Sequence, residues 1–117
     1  MIKIEAVIRP ERVNLVVDAI VGAGVGGFHV ANVTGRGQQQ GVEVFTGRGG
    51  TTATRASLPK SIVTTVVPDN RKEAVVQAII DAARSGDVGA IGDGKIFVSP
   101  VSEVIRVRTG ERDESAL

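Results

Sequence analysis

The sequence predicts an α+β domain whose elements run strand, helix, strand, strand, helix, strand. Three observations carry that expectation. Four segments show apolar alternation or β-branched runs at strand length. Two segments among them repeat apolar residues at helical spacing. Pro10, Gly22, Gly24, Pro68 and a Gly-rich stretch before Lys95 punctuate the boundaries.

The first strand is residues 2–8. Ile2, Ile4, Ala6 and Ile8 alternate with Lys3, Glu5 and Val7, so one face is apolar. Pro10 stops the strand and is suited to open a helix. Val13, Val16, Val17, Ile20 and Val21 recur at helical spacing and predict an amphipathic helix over 11–22, ended by Gly22 and Gly24. Residues 28–34, FHVANVT, read as the second strand.

From Gly35 to Lys60 the chain is rich in Gly, Thr and Gln and has little apolar periodicity. A loop of that length in a small domain usually carries function or disorder. Part of it is expected to extend the flanking strands as a hairpin.

Residues 61–67, SIVTTVV, are β-branched nearly throughout and predict the third strand. Asn70 with Glu73 fits a capping box, and Val75, Val76, Ile79, Ile80 and Ala83 form the second helical stripe. A Gly-rich loop, Arg84 to Gly94, leads into a fourth strand, KIFVS. A tail strand is expected near 103–110, before a polar end that should fray.

This order is the ferredoxin-like βαββαβ pattern, with two helices on one face of an antiparallel sheet. The other face is left bare. Val7, Val63 and Val67 are its expected apolar residues, and burial between subunits would cover them.

The 117 residues suit a single domain spanning 1–117. Hydrophobic residues make up 42%, too many for a fully disordered chain, while aromatics are only 3%. The core must therefore be aliphatic, and a small core gains from oligomerisation. A formal net charge of +1 argues against an extended basic surface, so no nucleic-acid partner is expected. Cysteine is absent and His29 is the lone histidine, which excludes thiol chemistry and multi-histidine metal sites. The first residues do not read as a signal peptide, and no apolar run would span a bilayer; a cytoplasmic protein is expected.

Three constellations carry candidate chemistry. GDGK, Gly92–Lys95, joins glycines that admit an anion close to the backbone to a lysine charge. Taken alone it reads more readily as a tight turn entering a strand, and its spacing is not that of a Walker A loop. Arg106 and Arg108 would share one face of a tail strand and suit a polyphosphate; a solvated basic edge is the equal alternative. Together the two features favour phosphate. The third is GRGQQQG, Gly35–Gly41, which by itself reads as a flexible polar loop. No Ser/His/Asp or Cys/His arrangement is visible. Glu43, Asp81, Asp87 and Asp93 show no pairing suited to acid–base work, so an enzyme is not expected.

Read together, IKIEAVIRPERV, GRGQQQG, LPK, VVPDNR, GDGKIFV and IRVRTGE resemble the PII signal-transduction family over nearly the whole chain. The resemblance implies a homotrimer with a long T-loop, here about 36–58, between the second and third strands. It implies that ATP or ADP binds between adjacent subunits. The phosphates would lie against Gly92, Asp93, Gly94, Lys95, Arg106 and Arg108, within a phosphate-binding loop of about 84–95. The adenine would lie near His29 and Val66, with Gly37, Gln38 and Gln39 also lining the nucleotide. Gln39 would help hold Mg²⁺ and 2-oxoglutarate beside ATP, and Lys60 would salt-bridge that dicarboxylate, with Arg9 and Gly41 nearby.

The T-loop would dock on a target. Family targets include ammonium transporters, nitrogen-assimilation enzymes and nitrogenase, so any membrane association would be indirect. The chain also departs from the family pattern. It has no tyrosine to be uridylylated, and Gln38 stands where many members have a basic residue. Arg36 replaces a frequent aromatic, Thr64 replaces an acidic residue, and about three residues around Val88–Ala90 are extra. These departures keep open a noncanonical sensor of ADP, AMP or a small metabolite such as bicarbonate, controlling a neighbouring transporter or enzyme.

Overall fold

The computed structural model describes residues 1–36, 43–45, 52–54 and 58–117. Its strands are β1 (Ile2–Ile8), β2 (His29–Gly35), β3 (Glu43–Phe45), β4 (Thr52–Thr54), β5 (Leu58–Val67) and β6 (Gly94–Pro100). Its α-helices are α1 (Val13–Gly22) and α2 (Lys72–Ala83). The main sheet has the order β2-β5-β1-β6, with every neighbouring pair antiparallel. α1 and α2 pack against each other and against one face of that sheet. This is the expected ferredoxin-like arrangement.

Register decides which side chains meet. Ile4 lies opposite Thr65 and Val98, and Ala6 opposite Val63 and Ile96. Because strand side chains alternate, these residues share the helix-covered face. Ile4, Ala6 and Ile8 are buried there with Val16 and Ile20 of α1 and Val75 and Ile79 of α2. The core is aliphatic, as the scarcity of aromatics requires.

The opposite face carries Lys3, Glu5 and Val7 of β1 beside Ile62, Thr64 and Val66 of β5. Lys95, Phe97 and Ser99 of β6 continue it. Val63 and Val67 do not belong to this face. They lie opposite Ala6 and Ile2 and are 1% and 3% exposed, inside the core. The expectation fails by one residue of parity, which moves a strand residue to the other side of the sheet. The open face is still partly apolar, and Phe97 is 56% exposed on it.

Local chemistry sets the boundaries. Pro10 opens a 3₁₀ turn, Pro10–Arg12, which runs into α1; the expected helix over 11–22 is thus two elements. α1 ends in a left-handed cap. Gly24 has φ +92°, its N–H donates to the Val21 carbonyl, and the Val25 N–H donates to Ile20 at 3.0 Å. That pairing is the Schellman pattern, and Val25 and Ile20 both enter the core.

The expected capping box at Asn70 and Glu73 is absent. A 3₁₀ turn, Asp69–Arg71, leads into α2, and no side chain caps its first turn. The Arg71 guanidinium instead donates to the Ala23 carbonyl, tying the start of α2 to the end of α1.

β5 begins at Leu58, three residues earlier than expected, because Leu58, Pro59 and Lys60 pair with Gly35, Thr34 and Val33 of β2. The flanking strands are extended as a hairpin. Within the long loop, β3 and β4 form a separate antiparallel ladder. The tail expected as a strand over 103–110 is a turn instead. The Gly110 N–H donates to Arg106 and the Arg106 N–H to Glu111, leaving a single bridge between Ile105 and Arg112. Among the described residues, no helix is long and apolar enough to cross a membrane.

Candidate functional site

β1 and β6 run antiparallel so that the chain after Ile8 meets the chain before Gly94. Gly94 makes this approach possible. It has φ +123°, and a Cβ there would collide with the Val7 carbonyl oxygen. Only glycine fits that position. β5 lies on the other side of β1 and delivers Lys60 to the same end of the sheet. Arg9, Lys60 and the loop before Gly94 therefore converge.

The contacts are specific. Lys60 Nζ donates to the Gly92 carbonyl at 2.6 Å, and an Arg9 terminal nitrogen donates to the Ile91 carbonyl at 2.8 Å. Arg9 Nε also lies 3.4 Å from Asp93 Oδ1. Gly92 has φ +95°, and a Cβ there would lie 3.2 Å from Arg9 and 3.7 Å from Lys60 Nζ. The two cations thus press directly on a backbone without side-chain cover.

Asp93 closes the loop from inside. Its Oδ2 accepts the Ser85 N–H at 3.0 Å and the Ala90 N–H at 2.8 Å. Its Oδ1 accepts the Ser85 hydroxyl at 2.7 Å. Burial pushes the Asp93 carboxyl up, but these donors and Arg9 outweigh it and hold the group well below the ordinary carboxylate range. Burial pushes Lys60 down, and the Arg9 charge adds to that; Glu11 and Asp93 oppose it. Val88, in the loop before Gly92, is 97% exposed.

Two cations and a glycine-lined backbone at one end of a sheet have the chemistry to receive an anion. A sequence model described as "Nitrogen regulatory protein P-II" matches residues 1–111. The chain belongs to the P-II family. It is 47% identical over 118 aligned positions to the nitrogen regulatory protein P-II of Nostoc punctiforme, covering all of both chains. It is 43% identical to nitrogen regulatory protein P-II 2 of Methanothermobacter thermautotrophicus, covering 100% of this chain and 97% of that one. It is 44% identical to the P-II homolog of Arabidopsis thaliana over 97% of this chain and 56% of that longer protein.

Against the P-II expectations, the structure brings together Arg9, Lys60, Gly92 and Asp93. Lys95 follows on β6, where it pairs with Val7 and faces the open side. Val66 pairs with Lys3 on that same side. Lys3 and Val7 are four residues apart, so Val66 and Lys95 are separated by roughly 13 Å along the sheet. His29 is exposed at the edge of the sheet, paired with Thr64.

Arg106 and Arg108 do not share the face of a strand. Arg106 is ion-paired with Glu111 at 3.0 Å, and Arg108 sits in the turn that follows. Gly37, Gln38, Gln39 and Gly41 lie outside the described residues. Among the described residues, no group of three or more histidines or acids is placed to hold a metal.

Sequence reasoning missed Ser85. A serine eight residues before an aspartate carries no pattern of its own. Its role appears only when the loop folds back on Asp93.

Proposed function

We propose that the chain is a nitrogen-signalling regulator, not an enzyme, that binds ATP or ADP between adjacent subunits of a cytoplasmic homotrimer and signals through the loop at about 36–58. The observation that carries this reading is the convergence of Arg9 and Lys60 on the Gly92–Lys95 loop. Cations and a side-chain-free backbone suit phosphate or carboxylate oxygens. Membership of a nitrogen regulatory family supports the same reading. Lys95 supplies a further charge on β6, and Arg106 and Arg108 would reach the phosphates from the tail turn.

The partly apolar open face supports assembly, since Val7, Ile62, Val66 and Phe97 would be covered between subunits. An intersubunit cleft would also reconcile the distance between Val66 and Lys95, by joining the adenine end of one subunit to the phosphate end of the next. Lys60 and Arg9 would take the carboxylates of 2-oxoglutarate. Mg²⁺ would be held by nucleotide phosphates, 2-oxoglutarate and Gln39. The target would be a transporter or an enzyme of nitrogen metabolism docked on the long loop.

Calorimetric titration with ATP, ADP and AMP, each with and without 2-oxoglutarate and Mg²⁺, tests this proposal. Binding of ATP or ADP, deepened by 2-oxoglutarate in a Lys60-dependent way, is the expected result. Nucleotide binding without any effect of 2-oxoglutarate or of Lys60→Ala would favour a sensor of another metabolite. No heat with any nucleotide, or a monomeric mass in solution, would refute the reading.

A further inference from the structure

We propose that Asp93 is a positioning residue that holds the Gly-rich loop in its anion-binding form before a ligand arrives, and that it touches neither the nucleotide nor a metal. The proposal rests on the reading that Gly92–Lys95 receives phosphate. An ionised carboxylate has about four lone-pair sites. Oδ2 uses two on the N–H groups of Ser85 and Ala90, and Oδ1 uses two on the Ser85 hydroxyl and Arg9 Nε. None is left for a cation. A bare carboxylate beside a phosphate site would also repel the ligand, whereas this one is turned onto its donors and paired with Arg9.

The same contacts fix the loop at both ends. Ser85 lies just beyond α2, and Asp93 directly precedes Gly94, which enters β6. Bridging them closes the intervening residues into a ring, reinforced by the Asp93 N–H donating to the Ala90 carbonyl at 3.1 Å. Gly86 and Gly89 supply the left-handed conformations the ring needs, with φ +63° and +77°. Through Arg9, Asp93 also sets the guanidinium that donates to the Ile91 carbonyl. The loop can therefore tolerate the extra residues around Val88–Ala90, because they bulge from a ring that is closed beneath them.

The test compares wild type with Asp93→Asn, Ser85→Ala, Ser85→Thr and the double variant Asp93→Asn/Ser85→Ala. ATP affinity is measured with Mg²⁺ and again with EDTA. Hydrogen exchange of residues 85–93 is followed without ligand. Asp93→Asn and Ser85→Ala should each weaken ATP binding by about three- to tenfold, the net scale of one ordinary hydrogen bond. The factor should be the same with and without Mg²⁺. Ser85→Thr, which keeps the hydroxyl, should retain affinity, and the double variant should be little worse than Asp93→Asn alone. Exchange across 85–93 should quicken in Asp93→Asn and Ser85→Ala but not in Ser85→Thr.

A loss confined to the Mg²⁺ arm would make Asp93 a metal contact and overturn the proposal. So would unchanged affinity in Ser85→Ala, or independent losses in the double variant. If wild type bound no ATP, the functional reading would fall. Slow exchange unaffected by Asp93→Asn would then separately refute the closed ring.

Discussion

Lys60 and Gly92 join the two loops of the site: the ammonium at the start of β5 donates to the Gly92 carbonyl at 2.6 Å. Leu58–Lys60 open β5 where the long loop ends, and Gly92 belongs to the Gly-rich loop. A ligand that takes the Lys60 charge must draw it from that carbonyl. The base of the long loop and the Gly-rich loop therefore share one cation.

The cation should be an easier acid than an ordinary lysine. Burial and the Arg9 charge both disfavour its protonated form. NMR titration of Lys60 Cε should give a midpoint below the usual value of about 10.4. Arg9→Gln should return it part of the way, because burial remains. A midpoint unmoved by Arg9→Gln would show that the Arg9 charge is screened.

Asp93 should make stability fall in acid. Its carboxyl titrates lower folded than unfolded, so the ionised form favours folding. The stabilisation is full above the unfolded value of about 3.9 and is lost as pH falls toward the folded value. Urea denaturation of wild type and Asp93→Asn should differ by about 2 kcal/mol at neutral pH. The gap should narrow below about pH 4. A constant gap from neutral pH to pH 3 would contradict the ionised clamp.

Gly94→Ala should be far more damaging than Gly86→Ala. Both positions have positive φ, but a Cβ at Gly94 meets the Val7 backbone, while at Gly86 nothing lies within 4 Å. Strain alone predicts about 1 kcal/mol for Gly86→Ala. Strain plus collision predicts about 3 kcal/mol or more for Gly94→Ala. Denaturant midpoints measure both, and equal losses would count against the close β1–β6 approach.

Ile79→Ala should cost about 2–5 kcal/mol, because Ile79 is buried between α2 and the sheet. Leu15→Ala on the exposed side of α1 should change stability by only about 0.5 kcal/mol. Thermal or chemical unfolding would distinguish them.

The βαββαβ order could be read from the sequence because Ile4, Ala6 and Ile8 alternate and Val75, Ile79 and Ala83 repeat at helical spacing. The sides of β5 could not be read. SIVTTVV is β-branched on both faces, so Val63 and Val67 gave no parity until pairing with Ala6 and Ile2 set it. Arg9, Lys60 and Gly92–Lys95 were visible as candidates, but their meeting depends on sheet order β5-β1-β6, which brings distant segments to one end. The Asp93–Ser85 closure was hidden because it is a tertiary contact within an irregular loop. The tail arginines were misread locally: Thr109 and Gly110 turn the chain, so IRVRTG is alternating in sequence without being a strand.

The most direct test of the account is the affinity of wild type and Lys95→Ala for ATP, measured by calorimetry in the presence of Mg²⁺. Lys95 lies on the open face and takes no part in the Asp93 ring, so its removal probes the ligand more than the fold. The account predicts clear ATP binding by wild type and a loss of about tenfold or more in Lys95→Ala, as expected for one phosphate-directed charge. Equal affinity in the two proteins, or no binding by wild type, would contradict it.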